Sequence, residues 1–278
     1  MSEQDPQSPI GVFDSGVGGL SVLQAIRSEL PDEQIIFLAD QTHVPYGPRS
    51  LEEVREFAEG ITRYLLAQRV KLIVVACNAA SAAALQHLRR KFPQVPFVGM
   101  EPAVKPAAEH TASKIVAVLA TPATFQGALY ASVVERFAHG VVLLQHTCPG
   151  LVAQIEAGNL NGVETRSIIA AALDPMLALG ADTVVLGCTH YPFVIPTIQE
   201  IAGLQVRVID PAPAVARQVR RVLETLDLLN FAVQKEPGAV TYSTTGEPDR
   251  LKTALDALIG VRSEVRGLHW YSGKIETV

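Results

Sequence analysis

Short apolar runs alternate with longer stretches of helical periodicity along the chain. The apolar runs predict strands at residues 10–13, 34–39, 71–76, 95–100, 114–119, 141–144 and 183–186. Hydrophobic residues spaced three or four apart predict helices at residues 20–30, 51–68, 79–91 and 163–179, with further helices between the later strands. This alternation indicates mainly parallel sheets that are joined by right-handed crossovers and flanked by helices.

Length and composition extend this picture to an α/β protein of two domains. A chain of 278 residues exceeds the usual size of one domain, about 100–200 residues. Hydrophobic residues make up 48% of the chain and charged residues 18%. Such a composition suits central strands that helices cover on both faces.

Charge and the first residues argue against several classes of protein. The formal net charge is −5, and the 23 Lys and Arg are scattered, whereas nucleic-acid binding requires clustered basic residues. No apolar run reaches the 18 or so residues that cross a bilayer, and the start MSEQDPQSPI lacks a signal-peptide pattern. We therefore expect a cytoplasmic protein with no nucleic-acid or membrane partner, whose three cysteines stay reduced.

Two of the predicted strands each deliver a cysteine to their carboxyl end. The strand at 71–76 is followed by Cys77, and the strand at 183–186 is followed within two residues by Cys188. Open α/β sheets bind ligands at the carboxyl ends of their strands. The pattern predicts two similar domains, each of which offers one thiol to an active site in the cleft between them. The alternative is that both cysteines are small buried hydrophobic residues.

Paired thiols allow a particular acid–base chemistry. A thiol with an ordinary pKa of about 8.5 becomes a base when a helix N-terminus or an imidazole lowers its pKa. Cys77 and Cys188 both precede predicted helices, and His190 follows Cys188 by two residues. One thiolate can remove a proton from a carbon acid while the opposite thiol protonates the other face. Such inversion of a stereocentre requires no cofactor and no metal.

Five ordered motifs resemble the cofactor-independent, two-cysteine glutamate racemases. They are GVFDSGVGGLSV (11–22), ADQTHVPYG (39–47), ACNAASA (76–82), CPGLVAQIEAG (148–158) and GCTHYPF (187–193). The resemblance implies a cytoplasmic homodimer that interconverts L- and D-glutamate and supplies D-glutamate for peptidoglycan synthesis. It also implies two α/β domains, the first formed by residues 1–98 and 210–278 and the second by residues 99–209.

The resemblance also assigns the catalytic residues. It implies that Cys77 takes the proton from D-glutamate and that Cys188 takes the proton from L-glutamate. Asp14 would assist Cys77, His190 would support Cys188, and Glu156 would orient His190. For Asp14 the alternative is an N-cap of the first helix, and an isolated Glu on a helix, such as Glu156, is normally a solvated side chain.

Substrate contacts are implied for three further segments. Ser15, with Asp14, would lie near the substrate ammonium group. Tyr46 and Gly47 would hold the distal carboxylate with backbone and side-chain donors, and Pro45 would shape the loop, although this segment alone would be interpreted as an exposed turn. Other donors would contact the α-carboxylate, and these are Asn78, Thr189 and Thr121. Thr121 could equally cap its helix. Glutamate racemases usually carry Thr at the position of Ala79, so one substrate contact is missing here.

Two other features of the motifs have a structural interpretation. DSGVGG (14–19) does not match a nucleotide-binding loop, because the sixth position of G-x-G-x-x-G is Ser21. Its glycines are equally explained by a strand-to-helix turn with unusual dihedral angles. Cys148 precedes Pro149 without a polar partner nearby in the sequence, and we interpret it as structural.

Other functions fit some of the same residues. Aspartate racemase, or another two-cysteine racemase or isomerase, would use the same chemistry. A metal-dependent hydrolase would combine Cys188 and His190 with Cys77 and Asp14 as ligands. A binding protein would keep the pocket for an amino acid without turning it over.

Overall fold

A computed structural model describes residues 5–230 and 237–277. Its strands are β1 (Ile10–Asp14), β2 (Ile35–Ala39), β3 (Leu72–Val75), β4 (Phe97–Gly99), β5 (Ile115–Ala120), β6 (Val142–His146), β7 (Thr183–Gly187), β8 (Arg207–Ile209), β9 (Val240–Thr244), β10 (Val265–Tyr271) and β11 (Lys274–Thr277). Its helices are α1 (Gly19–Glu29), α2 (Leu51–Ala67), α3 (Asn78–Lys91), α4 (Val104–His110), α5 (Pro122–Gln126), α6 (Ala128–Phe137), α7 (Leu151–Glu156), α8 (Val163–Ala178), α9 (Ile195–Ala202), α10 (Ala212–Thr225) and α11 (Pro248–Ile259). The predicted strands and helices are confirmed, with ends that differ by a few residues.

Within the described residues the strands form two sheets. The larger has the order β11-β10-β9-β2-β1-β3-β4, and the smaller has the order β6-β5-β7-β8. Neighbouring strands pair in parallel, except for the antiparallel pair of β10 and β11. The predicted α/β class with mainly parallel sheets is confirmed.

Helices cover both faces of each sheet, which explains the continuous apolar runs of the central strands. In the larger sheet α1, α10 and α11 pack on one face, while α2 and α3 pack on the other. In the smaller sheet α7, α8 and α9 pack on one face, while α4 and α6 pack on the other. Every residue of β1, β3 and β7 is buried, because parallel strands in the middle of such a sheet contact helices on both sides.

The last strands of the chain return to the larger sheet. β9 pairs with β2, from Ile35 opposite Val240 to Ala39 opposite Thr244. The predicted boundary at 98/99 falls inside β4, where Gly99 still pairs with Val75 of the larger sheet. The division into 1–98 with 210–278 and 99–209 stays a prediction.

The described helices are too short or too polar to traverse a lipid bilayer. The prediction that the first ten residues lack a signal-peptide pattern falls partly on residues 1–4, which lie outside the described residues.

Candidate functional site

One cavity lies where the carboxyl ends of the two sheets face each other. Its volume is about 340 Å³, and both sheets contribute to its walls. Ser15 follows β1 and Cys77 follows β3 in the larger sheet, while Thr121 follows β5 and Cys188 follows β7 in the smaller sheet. Parallel strands place the residues that follow them at one edge of a sheet, which is where ligands bind in such folds.

The cavity brings together most of the predicted site residues. Those that line it are Ser15, Pro45, Tyr46, Gly47, Cys77, Asn78, Ala79, Thr121, Cys188, Thr189 and His190. Asp14 and Glu156 do not line the cavity. Asp14 is fully buried beside Cys77, and Glu156 contacts the ring of His190.

Cys77 is the N-cap residue of α3, as predicted. The Ala80 amide donates to its Sγ at 3.4 Å, and the Ser15 hydroxyl lies 3.9 Å from it. Burial nevertheless raises the pKa of Cys77 well above its ordinary value, and the nearby charge of Asp14 raises it further. The prediction that the helix N-terminus lowers this pKa is wrong in the net direction, because desolvation and a like charge outweigh one amide donor.

Asp14 lies behind Cys77 and also contacts the start of α1. Its Oδ2 accepts a hydrogen bond from the Gly19 amide at 2.6 Å, although the N-cap residue itself is Gly18. Burial raises the pKa of Asp14, against the opposing effects of the His190 charge and of hydrogen bonds from Cys77 and Gly19. The Asp14 side chain therefore both stabilises the start of α1 and contacts the Cys77 thiol.

Cys188 faces a chain of two further side chains. Its Sγ lies 3.8 Å from His190 Nδ1, and His190 Nε2 lies 2.7 Å from Glu156 Oε1. Burial lowers the pKa of His190, but hydrogen bonds to Cys188 and Glu156 outweigh it and raise the pKa well above its ordinary value. Burial acts to raise the pKa of Glu156, but the hydrogen bond to His190 opposes this effect, and the pKa of Glu156 is lowered overall.

The expectation that Cys188 begins a helix as Cys77 does is wrong. Thr189 and His190 follow in a turn, and a 3₁₀ helix begins only at Tyr191 and continues to Val194. Pro192 explains the start, since proline is favoured in the first helical turn, where its missing N–H leaves no bond unmade. Support for this thiol therefore comes from an imidazole rather than from a helix terminus.

Asn78 places an unpaired amide in the wall of the cavity. The side chain is 3% exposed, and neither its Nδ2 nor its Oδ1 has a hydrogen-bond partner among the described residues. A buried polar group without a partner costs about 1–3 kcal/mol. A polar ligand in the cavity would remove this cost.

The loop from Pro45 to Gly47 differs from the predicted turn. Pro45 is exposed, but Tyr46 and Gly47 are buried. The Tyr46 hydroxyl donates to Asp40 Oδ2 at 2.5 Å, so its hydrogen is already engaged within the protein. The expected substrate contacts of Tyr46 and Gly47 stay a prediction. A Cβ at Gly47 would lie 2.7 Å from Thr121 Cβ, so this glycine lets the loop approach the smaller sheet.

Two threonines in the wall differ in their contacts. The Thr121 side chain makes no capping bond to α5 and lies 3.1 Å from the Thr124 hydroxyl, so the capping explanation is wrong. Thr189 is 2% exposed. Its carbonyl accepts a bond from the Ser21 hydroxyl at 3.0 Å, which ties the turn after β7 to α1.

Close approach explains the glycines between β1 and α1 better than unusual dihedral angles do. None of them is among the glycines with positive φ in the described residues. A Cβ at Gly16 would clash with Glu156, a Cβ at Gly18 would clash with His190, and a Cβ at Gly19 would lie 2.6 Å from Asp14 Cβ. Each missing side chain therefore makes room for a residue of the candidate site.

One wall of the cavity was not predicted from the sequence. Its residues are Thr147, Cys148, Pro149, Gly150, Val152 and Ala153. Cys148 is buried, and burial raises its pKa to about 12, so it is a neutral thiol near pH 7. The match of CPGLVAQIEAG (148–158) to the family motif was the signal that these residues belong to the site.

The proposed metal ligands do not form a cluster. Within residues 5–230 and 237–277, no group of three or more His, Cys, Asp or Glu side chains is arranged to hold a metal ion.

Comparison with known proteins agrees with these motifs. Residues 10–219 match the family model described as Asp/Glu/Hydantoin racemase. The chain belongs to the Asp/Glu/hydantoin racemase family. Among its members, the glutamate racemase of Roseiflexus sp. (strain RS-1) is 49% identical over 258 residues, which are 93% of this chain and 94% of that protein. The resemblance to glutamate racemases is confirmed.

Solved structures of family members share the fold. Glutamate racemase from Francisella tularensis, in complex with D-glutamate, has a TM-score of 0.81 and 28% identity, covering 94% of this chain and 96% of that one. The Escherichia coli enzyme, in complex with L-glutamate and the activator UDP-MurNAc-ala, has a TM-score of 0.78 and 32% identity, covering 90% of this chain and 94% of that one.

Proposed function

We propose that this protein is a glutamate racemase that works with two cysteine bases and no cofactor. The observation that carries the proposal is the pair Cys77 and Cys188, one from each sheet, in the walls of a single cavity. Relatives that bind L- and D-glutamate support glutamate as the substrate.

In the L to D direction the reaction begins with Cys188 as thiolate. His190 accepts the thiol proton at Nδ1, and the Glu156 carboxylate stabilises the resulting imidazolium through Nε2. The thiolate removes the α-proton, and the Cys77 thiol protonates the opposite face of the same carbon. The enzyme is left with a Cys77 thiolate and a Cys188 thiol, which is the state that accepts D-glutamate.

Substrate charges complete the site. Asn78 and Thr189, which lie beside the two cysteines, donate to the α-carboxylate as negative charge develops on it. The ammonium group lies near Asp14 and Ser15, where its positive charge opposes the two effects that raise the pKa of Cys77. Thiolate formation at Cys77 is therefore coupled to substrate binding.

The biological setting follows from the same proposal. The enzyme supplies D-glutamate for peptidoglycan synthesis, acts in the cytoplasm and works as a homodimer.

The test is incubation of the purified protein with L-glutamate and, separately, with L-aspartate in D₂O without added cofactor. We expect loss of optical rotation and one α-deuterium per molecule with glutamate only. Reaction of aspartate alone would favour aspartate racemase. Glutamate binding without exchange would favour a binding protein, and activity that a chelator removes would favour the metal-dependent alternative.

Ala79→Thr is expected to strengthen glutamate binding or turnover. Ala79 lines the cavity, so a hydroxyl there adds one donor to the carboxylate. The gain equals about one hydrogen bond, roughly threefold to tenfold in kcat/KM. Steady-state kinetics in both directions measure it, with Ala79→Val as the control for added volume. An equal effect of Val and Thr would show that the hydroxyl is dispensable.

A further inference from the structure

The turn between β1 and α1 contacts the side chains that support Cys188, although those side chains come from the other sheet. The Val17 amide donates to Glu156 Oε1 at 2.8 Å. The same oxygen lies 2.7 Å from His190 Nε2. The carboxylate oxygen that holds the imidazole is therefore itself held by the turn.

Gly18 makes this contact possible by what it lacks. Its backbone has φ −56° and ψ −40°, which any residue adopts, so conformation does not require glycine there. A Cβ at this position would clash with His190 Nδ1. Because Nδ1 is the atom that faces Cys188 Sγ, a methyl group at Gly18 requires the ring or the turn to shift at the contact between imidazole and thiol.

Gln41 supports the same carboxylate from the larger sheet. Its Nε2 donates to Glu156 Oε2 at 3.5 Å, and its Oε1 accepts from the Thr244 hydroxyl at 2.8 Å. The Gly246 amide donates to that hydroxyl oxygen at 3.0 Å, which leaves the hydroxyl hydrogen directed at Gln41. The orientation of the Gln41 amide is thus set by β9 and not by Glu156 alone.

We infer that the β1–α1 turn is a positioning element for the base at Cys188, which aligns His190 with the thiol by packing Val17 and Gly18 against Glu156 and His190. The inference rests on the proposed racemase function. Its consequence is that the base of the smaller sheet is complete only while the loops of the larger sheet are docked on it. Proton transfer at Cys188 is thereby coupled to contact between the two halves of the molecule.

Gly18→Ala and its neighbour Gly19→Ala form a matched pair for the test. A Cβ at Gly18 meets His190, whereas a Cβ at Gly19 meets Asp14 beside Cys77. The readout is elimination from the two enantiomers of 3-chloroglutamate, which needs one base for each enantiomer. The thiolate removes the α-proton, chloride leaves the β-carbon with its electron pair, and the enamine hydrolyses to 2-oxoglutarate and ammonium.

We expect Gly18→Ala to slow elimination by about 100-fold, the cost of a displacement near 1 Å, with the enantiomer that Cys188→Ser fails to process. The other enantiomer should change less than about threefold. Gly19→Ala should show the reverse preference. Because Cys188→Ser identifies the enantiomer that Cys188 deprotonates, the test does not depend on knowing beforehand which cysteine acts on which enantiomer.

Equal slowing with both enantiomers, or no slowing, would overturn the inference while the wild type still racemises glutamate. A wild type that neither racemises nor eliminates would instead contradict the proposed function. If a thermal unfolding measurement shows that Gly18→Ala is not folded, Gln41→Leu takes its place in the test. This substitution removes a donor to Glu156 without adding bulk. We then expect the elimination rate to fall by about threefold to tenfold only for the enantiomer that Cys188 deprotonates, here called the Cys188 enantiomer. Equal falls in rate with both enantiomers would count against the inference.

Discussion

Cys77→Ser and Cys188→Ser are each expected to lower racemisation by about 1,000-fold or more, equivalent to roughly 4 kcal/mol of transition-state stabilisation. Inversion needs both a base and an acid, so neither cysteine can replace the other. A serine hydroxyl is a far weaker acid than a thiol and forms no significant population of anion near pH 7. Loss of optical rotation with L- and with D-glutamate measures the effect.

Each single variant should still process one enantiomer in a reaction that needs only one base. Cys188→Ser keeps the base at Cys77, and the reverse holds for Cys77→Ser. Cys148→Ser is the matched control, since Cys148 lines the same cavity but its pKa of about 12 keeps it a neutral thiol. We expect that variant to stay within about tenfold of wild type. Identical behaviour of all three variants with both enantiomers would contradict the two-base mechanism.

Glu156→Gln is expected to slow the reaction of the Cys188 enantiomer by about 100-fold near pH 7, a loss of roughly 2.7 kcal/mol. The amide keeps the shape of the carboxylate but not its charge. Burial lowers the pKa of His190, and without the Glu156 charge this effect is opposed less, so the pKa falls. A weaker imidazole base accepts a proton from its neighbouring thiol less readily, so the proton transfer that starts the reaction is slower.

The deficit of Glu156→Gln should shrink as pH rises, because the raised pKa of His190 keeps the wild-type imidazole charged near pH 7, and that charge is lost from the wild type as well once the pH exceeds this pKa. Asp14 is the other carboxylate whose charge interacts with His190, and it is unchanged in this variant. Exchange rates for each enantiomer between pH 6 and 9 provide the measurement, with Glu164→Gln, on the exposed first turn of α8, as control. A deficit that is constant with pH, or equal for both enantiomers, would disagree with the assigned role.

The local hydrophobic pattern was sufficient to predict the strands that position the two cysteines of the site. β3 and β7 are fully buried apolar runs, so their type and the placement of the following cysteines could be predicted from the sequence. β9 was not predicted, because VTYST lacks a continuous apolar run. It is held in the sheet by its neighbour β2 rather than by its own composition.

Contacts between distant segments account for the features that the sequence did not reveal. Burial raises the pKa of Cys77, and the charge of Asp14, from a different strand, raises it further; no local pattern reports either effect. The glycines at 16 and 18 have ordinary dihedral angles, and their need for space depends on Glu156 and His190, more than one hundred residues away in the sequence.

The return of the last strands to the larger sheet has a consequence for synthesis of the enzyme. Asp40 accepts hydrogen bonds from Tyr46, from Thr245 beyond β9 and from Trp270 of β10. A chain emerging from the ribosome therefore presents both cysteines before Thr245 and Trp270 can complete the hydrogen bonds to Asp40. We expect the Asp40 side chain, which holds Tyr46 in the wall of the cavity, to be fully held only when the segment around Trp270 has left the exit tunnel.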